Sequence, residues 1–114
     1  MRQRDLTSLH DIVTAAELIS SFVTNVDREA FDDSLLIQSA VVRQIEIIGE
    51  ATKRLSDDLR QQYNNIPWKQ MAGMRDILIH AYDSIDPDEV WNVAMRDLPR
   101  ISLQIRVIID CAAE

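Results

Sequence analysis

Two long apolar stripes at helical spacing restrict the fold of this chain more than any other feature of its sequence. Between residues 34 and 55, apolar side chains recur every three or four positions, at Ile37, Val41, Ile45, Ile48, Ala51 and Leu55. Residues 5–26 carry a similar stripe, at Leu6, Leu9, Val13, Ala16 and Val23. This recurrence is typical of one face of an amphipathic α-helix. Both segments are therefore predicted to be long helices that each bury one face.

The composition favours an all-α fold. The 114 residues include two glycines, three prolines and six aromatic residues, which argues against a turn-rich β-sandwich or barrel. A chain of this length forms one domain and buries roughly two-thirds of its unfolded surface, so it can fold without disulfides or metal. Residues 1–114 are therefore predicted to form a single all-α domain, an antiparallel bundle of four to five helices.

Glycine, proline and capping residues predict where the helices begin, bend and approach one another. Ser56, followed by two aspartates, reads as the N-cap of a short helix, and Pro67 opens a further helix through about residue 81. Asp86 before a proline is a start signal for the last helix, which Pro99 should kink or split. Gly49 lies inside a predicted helix, where a close approach of another helix could offset its roughly 1 kcal/mol penalty.

Charge and cysteine content limit the classes of function. The net charge is −7, whereas nucleic-acid binders usually present a basic face, so any role with RNA must account for this acidity. The single cysteine, Cys111, allows no intrachain disulfide and no multi-cysteine zinc site, which suits a reducing cytoplasm. Uninterrupted apolar runs reach three or four residues, too few for a membrane span. We expect a cytoplasmic protein that does not enter a membrane.

The segment from Gly73 to Tyr82 contains the residues best suited to chemistry. His80 can transfer protons near neutral pH, and Arg75 offers a fixed fork for phosphate oxygens. Together they are the minimal set of side chains for metal-free RNA cleavage, in which the ribose 2′-OH attacks the adjacent phosphate. No HExxH or Cys/His cluster points to a metal, and no cofactor is expected.

The spacing alone leaves a structural role for His80 open. Five residues rotate by about 140° on an ideal helix, so Arg75 and His80 do not share a face. The reaction also needs both an acid and a base, and the motif supplies only one histidine per chain for these two roles. A homodimer with two copies of the motif at its interface would supply both, so we expect a dimer.

Arg75-x4-His80-x-Tyr82 resembles the RX4HXY motif of the HepT-like proteins in the HEPN superfamily. Further blocks resemble that family in the same order: Val42–Ala51, Ile66-Pro67-Trp68, Gly73-Met74-Arg75, Val90-Trp91 and Leu98-Pro99. The resemblance covers nearly the whole chain. It implies a helical-bundle ribonuclease that acts as the toxin of a bacterial or archaeal toxin–antitoxin pair.

The resemblance also implies a role for each residue of the motif. Arg75 and His80 correspond to the residues needed for RNA cleavage, and Asp76 to a polar residue that assists. Tyr82 corresponds to the tyrosine to which an MntA-like nucleotidyltransferase antitoxin attaches AMP. The alternative is a non-catalytic helical protein that binds a nucleotide or serves as a scaffold for the nucleotidyltransferase.

A charged stripe on the predicted second long helix has two interpretations. Arg43, Lys53 and Arg54 could line a positive groove for RNA phosphates. Glu46 and Glu50 alternate with them at spacings of three and four, which is equally typical of a solvated face. The two tryptophans, Trp68 and Trp91, are more often core residues than platforms for stacked bases.

Overall fold

The computed structural model describes residues 1–78 and 86–113, and for residues 75–78 it describes the helical backbone alone. In these ranges the chain forms α1 (Gln3–Val23), α2 (Arg28–Asp32), α3 (Leu35–Lys53), α4 (Asp57–Gln62), α5 (Trp68–Leu78), α6 (Pro87–Asn92), a π-helical turn (Val93–Asp97) and α7 (Leu98–Ala112). The described residues contain no β-strand, so the predicted all-α class is confirmed.

Helix α1 packs against both α3 and α7 and runs antiparallel to each. Its first turn contacts the chain just beyond α3, where a carboxylate oxygen of Asp5 accepts a hydrogen bond from the Ser56 backbone N–H at 2.8 Å. Cys111, near the end of α7, lines the same recess as Asp5. Earlier in α7, Arg106 pairs with Glu17, which lies further along α1. The predicted antiparallel arrangement therefore holds for these three helices.

The predicted apolar stripes form the core of the bundle. Leu9, Ile12 and Ile19 of α1 are completely buried, as are Val41, Ile45 and Ile48 of α3. Helix α1 ends earlier than the predicted residue 26, because Asn25 adopts a left-handed backbone conformation, with φ of 60°. Asparagine tolerates this conformation better than most residues and therefore often interrupts a helix.

The predicted N-caps are confirmed by their hydrogen bonds. The Ser56 hydroxyl accepts from the Leu59 N–H at 3.2 Å and begins α4. A carboxylate oxygen of Asp86 accepts from the N–H groups of Asp88 and Glu89, at 3.0 and 3.3 Å, and begins α6. These contacts satisfy amide groups that have no partner within the first turn of a helix.

Pro99 interrupts the last helical run by way of a π-helical turn. Proline has no N–H to donate to the carbonyl four residues earlier, and its ring crowds that carbonyl. The wider turn, in which the Leu98 N–H donates to the Val93 carbonyl, precedes this proline directly. It also changes which residue faces the core. On an uninterrupted α-helix Asp97 would share the inward face of Val90, whereas here Asp97 is exposed and Leu98 is buried.

None of the helices in the described residues is both long and apolar enough to cross a membrane.

Candidate active site

Helix α5 carries the first half of the predicted motif. Arg75 and Asp76 lie on its backbone, one turn beyond Met71 and Ala72. Their side chains, and His80 and Tyr82 altogether, lie outside the described residues. The roles predicted for these four residues therefore stay predictions, and the described structure establishes what surrounds them.

The start of α5 is fixed by a buried tryptophan. Trp68 is 5% exposed, and its indole Nε1–H donates to the Tyr63 carbonyl at 3.0 Å. Three residues later, Met71 is completely buried in the core. The interpretation of Trp68 as a core residue is confirmed, because a buried indole with a satisfied N–H offers no face to a stacked base.

A glycine brings α3 directly against the backbone of α5. A Cβ atom placed at Gly49 would lie 3.5 Å from the carbonyl oxygen of Ala72 and 3.6 Å from that of Met71. The predicted close approach at Gly49 is thus confirmed, and its partner is the helix of the motif. The contact lies one turn before Arg75, so α3 determines the position of the backbone that carries this residue.

On the other side of the motif, α2 holds the beginning of α6. The Phe31 ring is completely buried, and its centroid lies 5.1 Å from that of Trp91, with the planes tilted by 53°. Arg28 donates to Asp32 at 2.8 Å and to Asp88 at 2.6 Å. The hydrogen bond with Asp32, followed by that with Asp88, raises the pKa of Arg28 above its ordinary value. Arg28 therefore stays charged near neutral pH.

The chain therefore enters and leaves the motif from two anchored helices. Helix α5, held by Gly49 and Trp68, precedes residues 79–85, and α6, held by Phe31, follows them.

Two of the three cations predicted to line a groove lie close to carboxylates. Arg43 lies 3.6 Å from Glu46 and Arg54 lies 3.4 Å from Asp11, so two of the three charges face carboxylates. Lys53 is exposed and has no ion pair within the described residues. Arg43 and Lys53 are ten residues apart on α3, which is about 15 Å along the axis. These contacts resemble a solvated face, and the groove stays a prediction.

Comparison with known proteins assigns this chain to a family. Residues 12–108 match the family described as ribonuclease HepT-like. The chain belongs to the HepT-like ribonuclease family. The resemblance inferred from the motif is thereby confirmed, and family membership supports ribonuclease activity.

Individual relatives of this HepT-like chain carry ribonuclease names. "Putative RNase MJ1380" of Methanocaldococcus jannaschii is 37% identical over 95% of this chain and 100% of its own length. "Putative RNase MJ1216" of the same organism is 41% identical, over 96% and 91%. "Probable ribonuclease HepT" of Thermococcus cleftensis is 40% identical, over 89% and 92%. No solved structure matches the chain significantly.

Two residues that support the HepT-like fold around the motif were not predicted from the sequence. Phe31 is the only large apolar residue in α2, and a five-residue helix shows no periodicity. The sequence feature that could have predicted α2 is its N-cap residue, Asp27, whose carboxylate accepts a hydrogen bond from the Ala30 N–H at 2.8 Å. Arg28 lies among acidic residues in the sequence, and its partner Asp88 is 60 positions away, so their contact could not be predicted.

Two features of the described HepT-like chain lie outside the motif, and neither is assigned a part in its chemistry. Its described residues contain no group of three or more His, Cys, Asp or Glu side chains placed to hold a metal ion. A cavity of about 530 Å³ lies between the start of α1, α4 and the end of α7. Its described lining includes Asp5, Tyr63 and Cys111 and takes nothing from α5, so we assign it no part in the motif's chemistry.

Proposed function

We propose that this protein is an endoribonuclease toxin that cleaves RNA without a metal ion, through Arg75 and His80. The observation that carries the proposal is membership of the HepT-like ribonuclease family together with an intact RX4HXY motif at residues 75–82. The anchoring of α5 and α6 on either side of this motif supports the assignment.

The chemistry follows from what these side chains can do. A neutral imidazole of His80 takes the proton of a ribose 2′-OH, and the 2′-oxygen attacks the adjacent phosphorus. The bond to the 5′-oxygen breaks, and an imidazolium gives that oxygen a proton. Arg75 stabilises the extra negative charge on the phosphoryl oxygens. Asp76, the polar residue that follows the motif arginine, assists in the reaction. The products are a 2′,3′-cyclic phosphate and a 5′-hydroxyl.

The active form in this proposal is a homodimer. One histidine cannot be neutral and protonated at once, so His80 from each of two chains supplies the base and the acid in a shared cleft. Arg43, Lys53 and Arg54 remain candidates for weaker contacts with RNA phosphates outside this cleft.

Cleavage assays with matched histidine variants test the catalytic proposal. His80→Ala and Arg75→Ala should each lower the cleavage rate about 100-fold or more, as the loss of a group that stabilises the transition state does. His10→Ala is the control, because His10 is the other histidine, is exposed and lies on α1. Activity should survive EDTA. Activity that EDTA abolishes and magnesium restores would contradict the proposal, as would full activity in His80→Ala.

The proposed control of the toxin is AMP transfer to Tyr82 by an MntA-like nucleotidyltransferase. A phosphodiester and a bulky nucleoside beside the phosphate site would repel and block RNA, and the new phosphate could pair with Arg75.

Co-expression with the nucleotidyltransferase, followed by mass spectrometry, tests this control. One or more additions of about 329 Da are expected on Tyr82. Tyr82→Phe should stay toxic in the presence of the transferase. If the transferase still silences Tyr82→Phe by modification, the site of control lies elsewhere. If the wild-type chain binds the transferase yet cleaves no RNA, the non-catalytic alternative is favoured.

A further inference from the structure

A cavity of about 480 Å³, here named the α5 cavity, lies where α4 and the turn after it meet the start of α5. Its described lining carries two cations, Arg60 and Lys69, and no carboxylate lies among the described residues that form it. Two side-chain amides, Asn64 and Gln70, belong to the same wall. In a chain with nineteen acidic and twelve basic residues, a wall of this composition is locally positive and favours an anion.

The two cations of the α5 cavity are not neutralised by neighbouring carboxylates. Neither Arg60 nor Lys69 has an ion pair within the described part of the chain. Five other arginines, by contrast, pair with an aspartate or a glutamate. Lys69 is also exposed, and its flexible stem lets the ammonium group follow a ligand. Both charges are therefore available to a bound anion.

Arg60 is held in place, yet its guanidinium group is incompletely bonded. Its Nη2 donates to the carbonyl of Thr52 at 2.8 Å, which ties α4 to the end of α3. Its Nε is enclosed by protein and has no hydrogen-bond partner among the described residues. An enclosed donor without an acceptor is unfavourable. A phosphate that draws the guanidinium towards the cavity supplies acceptor oxygens, so it removes this cost and adds a charge-assisted hydrogen bond.

The α5 cavity lies beside the backbone that carries the motif. It extends along α5 from Lys69 to Ala72, and Ala72 is three residues before Arg75. Residues three apart are neighbours on one side of a helix, separated by about 4.5 Å along its axis. An RNA strand whose scissile phosphate lies at Arg75 therefore reaches the cavity with a neighbouring nucleotide.

The size and chemistry of the α5 cavity suit a whole nucleotide better than a bare anion. Its volume falls within the range of about 300–1,000 Å³ that small-molecule sites occupy, which is far more than one phosphate group fills. The amides of Asn64 and Gln70 can both donate and accept hydrogen bonds, as the edge of a base requires. Pro67 adds an apolar surface to the same wall.

We propose that the α5 cavity binds one nucleotide of the RNA substrate, adjacent to the scissile bond. Arg60 and Lys69 hold its phosphate, and Asn64 and Gln70 contact its base. The inference deepens the proposed function and rests on it, because that function makes RNA the substrate. It concerns affinity, since these residues contact RNA outside the bond that breaks.

Binding of an RNA that cannot react tests the cavity. The probe is a single strand of mixed sequence with a 2′-O-methyl group on every ribose, and fluorescence anisotropy gives its dissociation constant. Lys69→Glu should raise this constant about 10-fold or more, because it places a carboxylate beside the bound phosphate. Arg4→Glu is the matched control, because Arg4 is exposed on α1 and undergoes the same change of charge. Equal weakening in the two variants, or none in Lys69→Glu, overturns the proposal.

The salt dependence of binding tests the phosphate contact directly. The double variant Arg60→Gln, Lys69→Gln should lower the slope of log affinity against log salt by about 0.7, the value for one phosphate of a single strand. Lys69→Gln alone, which alters an exposed side chain and should not disturb folding, should lower it by part of this amount. Arg4→Gln should leave the slope unchanged. An unchanged slope in Lys69→Gln overturns the proposed contact.

Cleavage kinetics separate binding in the cavity from chemistry at the motif. With a cleavable RNA, Lys69→Glu should raise KM about 10-fold and leave kcat within about twofold, because it removes binding outside the reacting bond. Arg75→Ala should instead lower kcat. A fall in kcat with an unchanged KM in Lys69→Glu overturns the proposal.

AMP distinguishes a nucleotide of RNA from a free nucleotide as the occupant. AMP should bind the wild-type chain at least about 100-fold more weakly than the methylated RNA, because the RNA contacts the protein at more than one nucleotide. AMP that binds as tightly as this RNA, and loses its affinity in Lys69→Glu, overturns the assignment to RNA.

The same variants separate the failure of this inference from the failure of the proposed function. A chain that cleaves RNA while Lys69→Glu and Arg4→Glu behave alike overturns the cavity and leaves the roles of Arg75 and His80 untouched. A chain that binds RNA through Lys69 yet cleaves none supports the cavity and contradicts the proposed nuclease.

Discussion

Gly73 lies inside α5, two residues before Arg75, at a position where glycine weakens a helix. A Cβ atom placed there meets no heavy atom within 4 Å. Gly73→Ala should therefore raise the free energy of unfolding by about 1 kcal/mol, which urea denaturation measures.

Gly49→Ala is the control for this substitution. Its Cβ would lie at ordinary van der Waals distance from two carbonyl oxygens of α5, so Gly49→Ala should stabilise the protein by a similar amount. A loss of stability in Gly73→Ala would contradict the open space beside it. Intact stability with impaired RNA cleavage would instead indicate that RNA passes close to residue 73.

Individual residues also show where prediction from sequence stops. The N-cap role of Ser56 could be predicted because its hydrogen-bond partner is three residues away. The buried carboxylate of Asp5 could not, because it accepts from Ser56, 51 positions further along the chain. Nothing near Asp5 in the sequence distinguishes it from an exposed acidic residue in a first helical turn.

At the scale of elements, α2 is joined to α6 by one apolar and one ionic contact of unequal strength. Phe31→Ala should lower the free energy of unfolding by about 3–5 kcal/mol, because it removes a completely buried ring that packs on Trp91. Arg28→Ala should lower it far less, because its ion pairs are exposed to solvent, which screens them. Chemical denaturation of both variants gives this ranking, and a reversed order would contradict it.

The ionic contact of α2 should be insensitive to pH near neutrality. The pKa of Arg28 is raised above its ordinary value, so the stability it contributes is fully present below that value and is lost only as the pH rises through the folded-state pKa. Denaturation of Arg28→Ala and wild type should therefore differ by the same amount at mildly acidic and mildly basic pH.

The long helices were predictable and the short and irregular elements were not, for a physical reason. Helices α1 and α3 bury a stripe over five turns, so their periodicity is visible in the sequence. Helix α2 makes little more than one turn and depends on contacts with α3 and α6. Pro99 predicted an interruption, but whether the chain kinks, splits or widens there depends on the core that surrounds it.

At the scale of the whole molecule, a net charge of −7 restricts how the protein can hold RNA. Five arginines pair with carboxylates: Arg2, Arg28, Arg43, Arg54 and Arg106. The other seven Lys and Arg side chains are outnumbered by nineteen acidic residues, which repel phosphates, so we expect only one or two phosphate contacts.

The salt dependence of RNA affinity tests this expectation. For single-stranded RNA, a fourfold rise in salt should weaken binding only about 3- to 7-fold if one or two phosphates are contacted. An RNA with a 2′-deoxy residue at the cleaved position, which cannot react, allows the dissociation constant to be measured. A loss of about 1,000-fold would indicate about seven contacts and contradict this prediction.

The sequence predicts which residues form the candidate site but not how they are assembled in space. The pattern at residues 75–82 predicted the chemistry, and the family resemblance assigned the roles. The sequence of a single chain does not show directly which of its surfaces would contact a partner.

The π-helical turn at Val93–Asp97 changes how the gene for this protein can vary in length. The turn holds one residue more than an α-helix needs to bring Val90 and Leu98 onto the same side. Losing one codon within it would leave a plain α-helix with both flanking faces still in register. Losing one codon at Ser102 would rotate everything downstream by about 100° and turn the inward isoleucines away from the core.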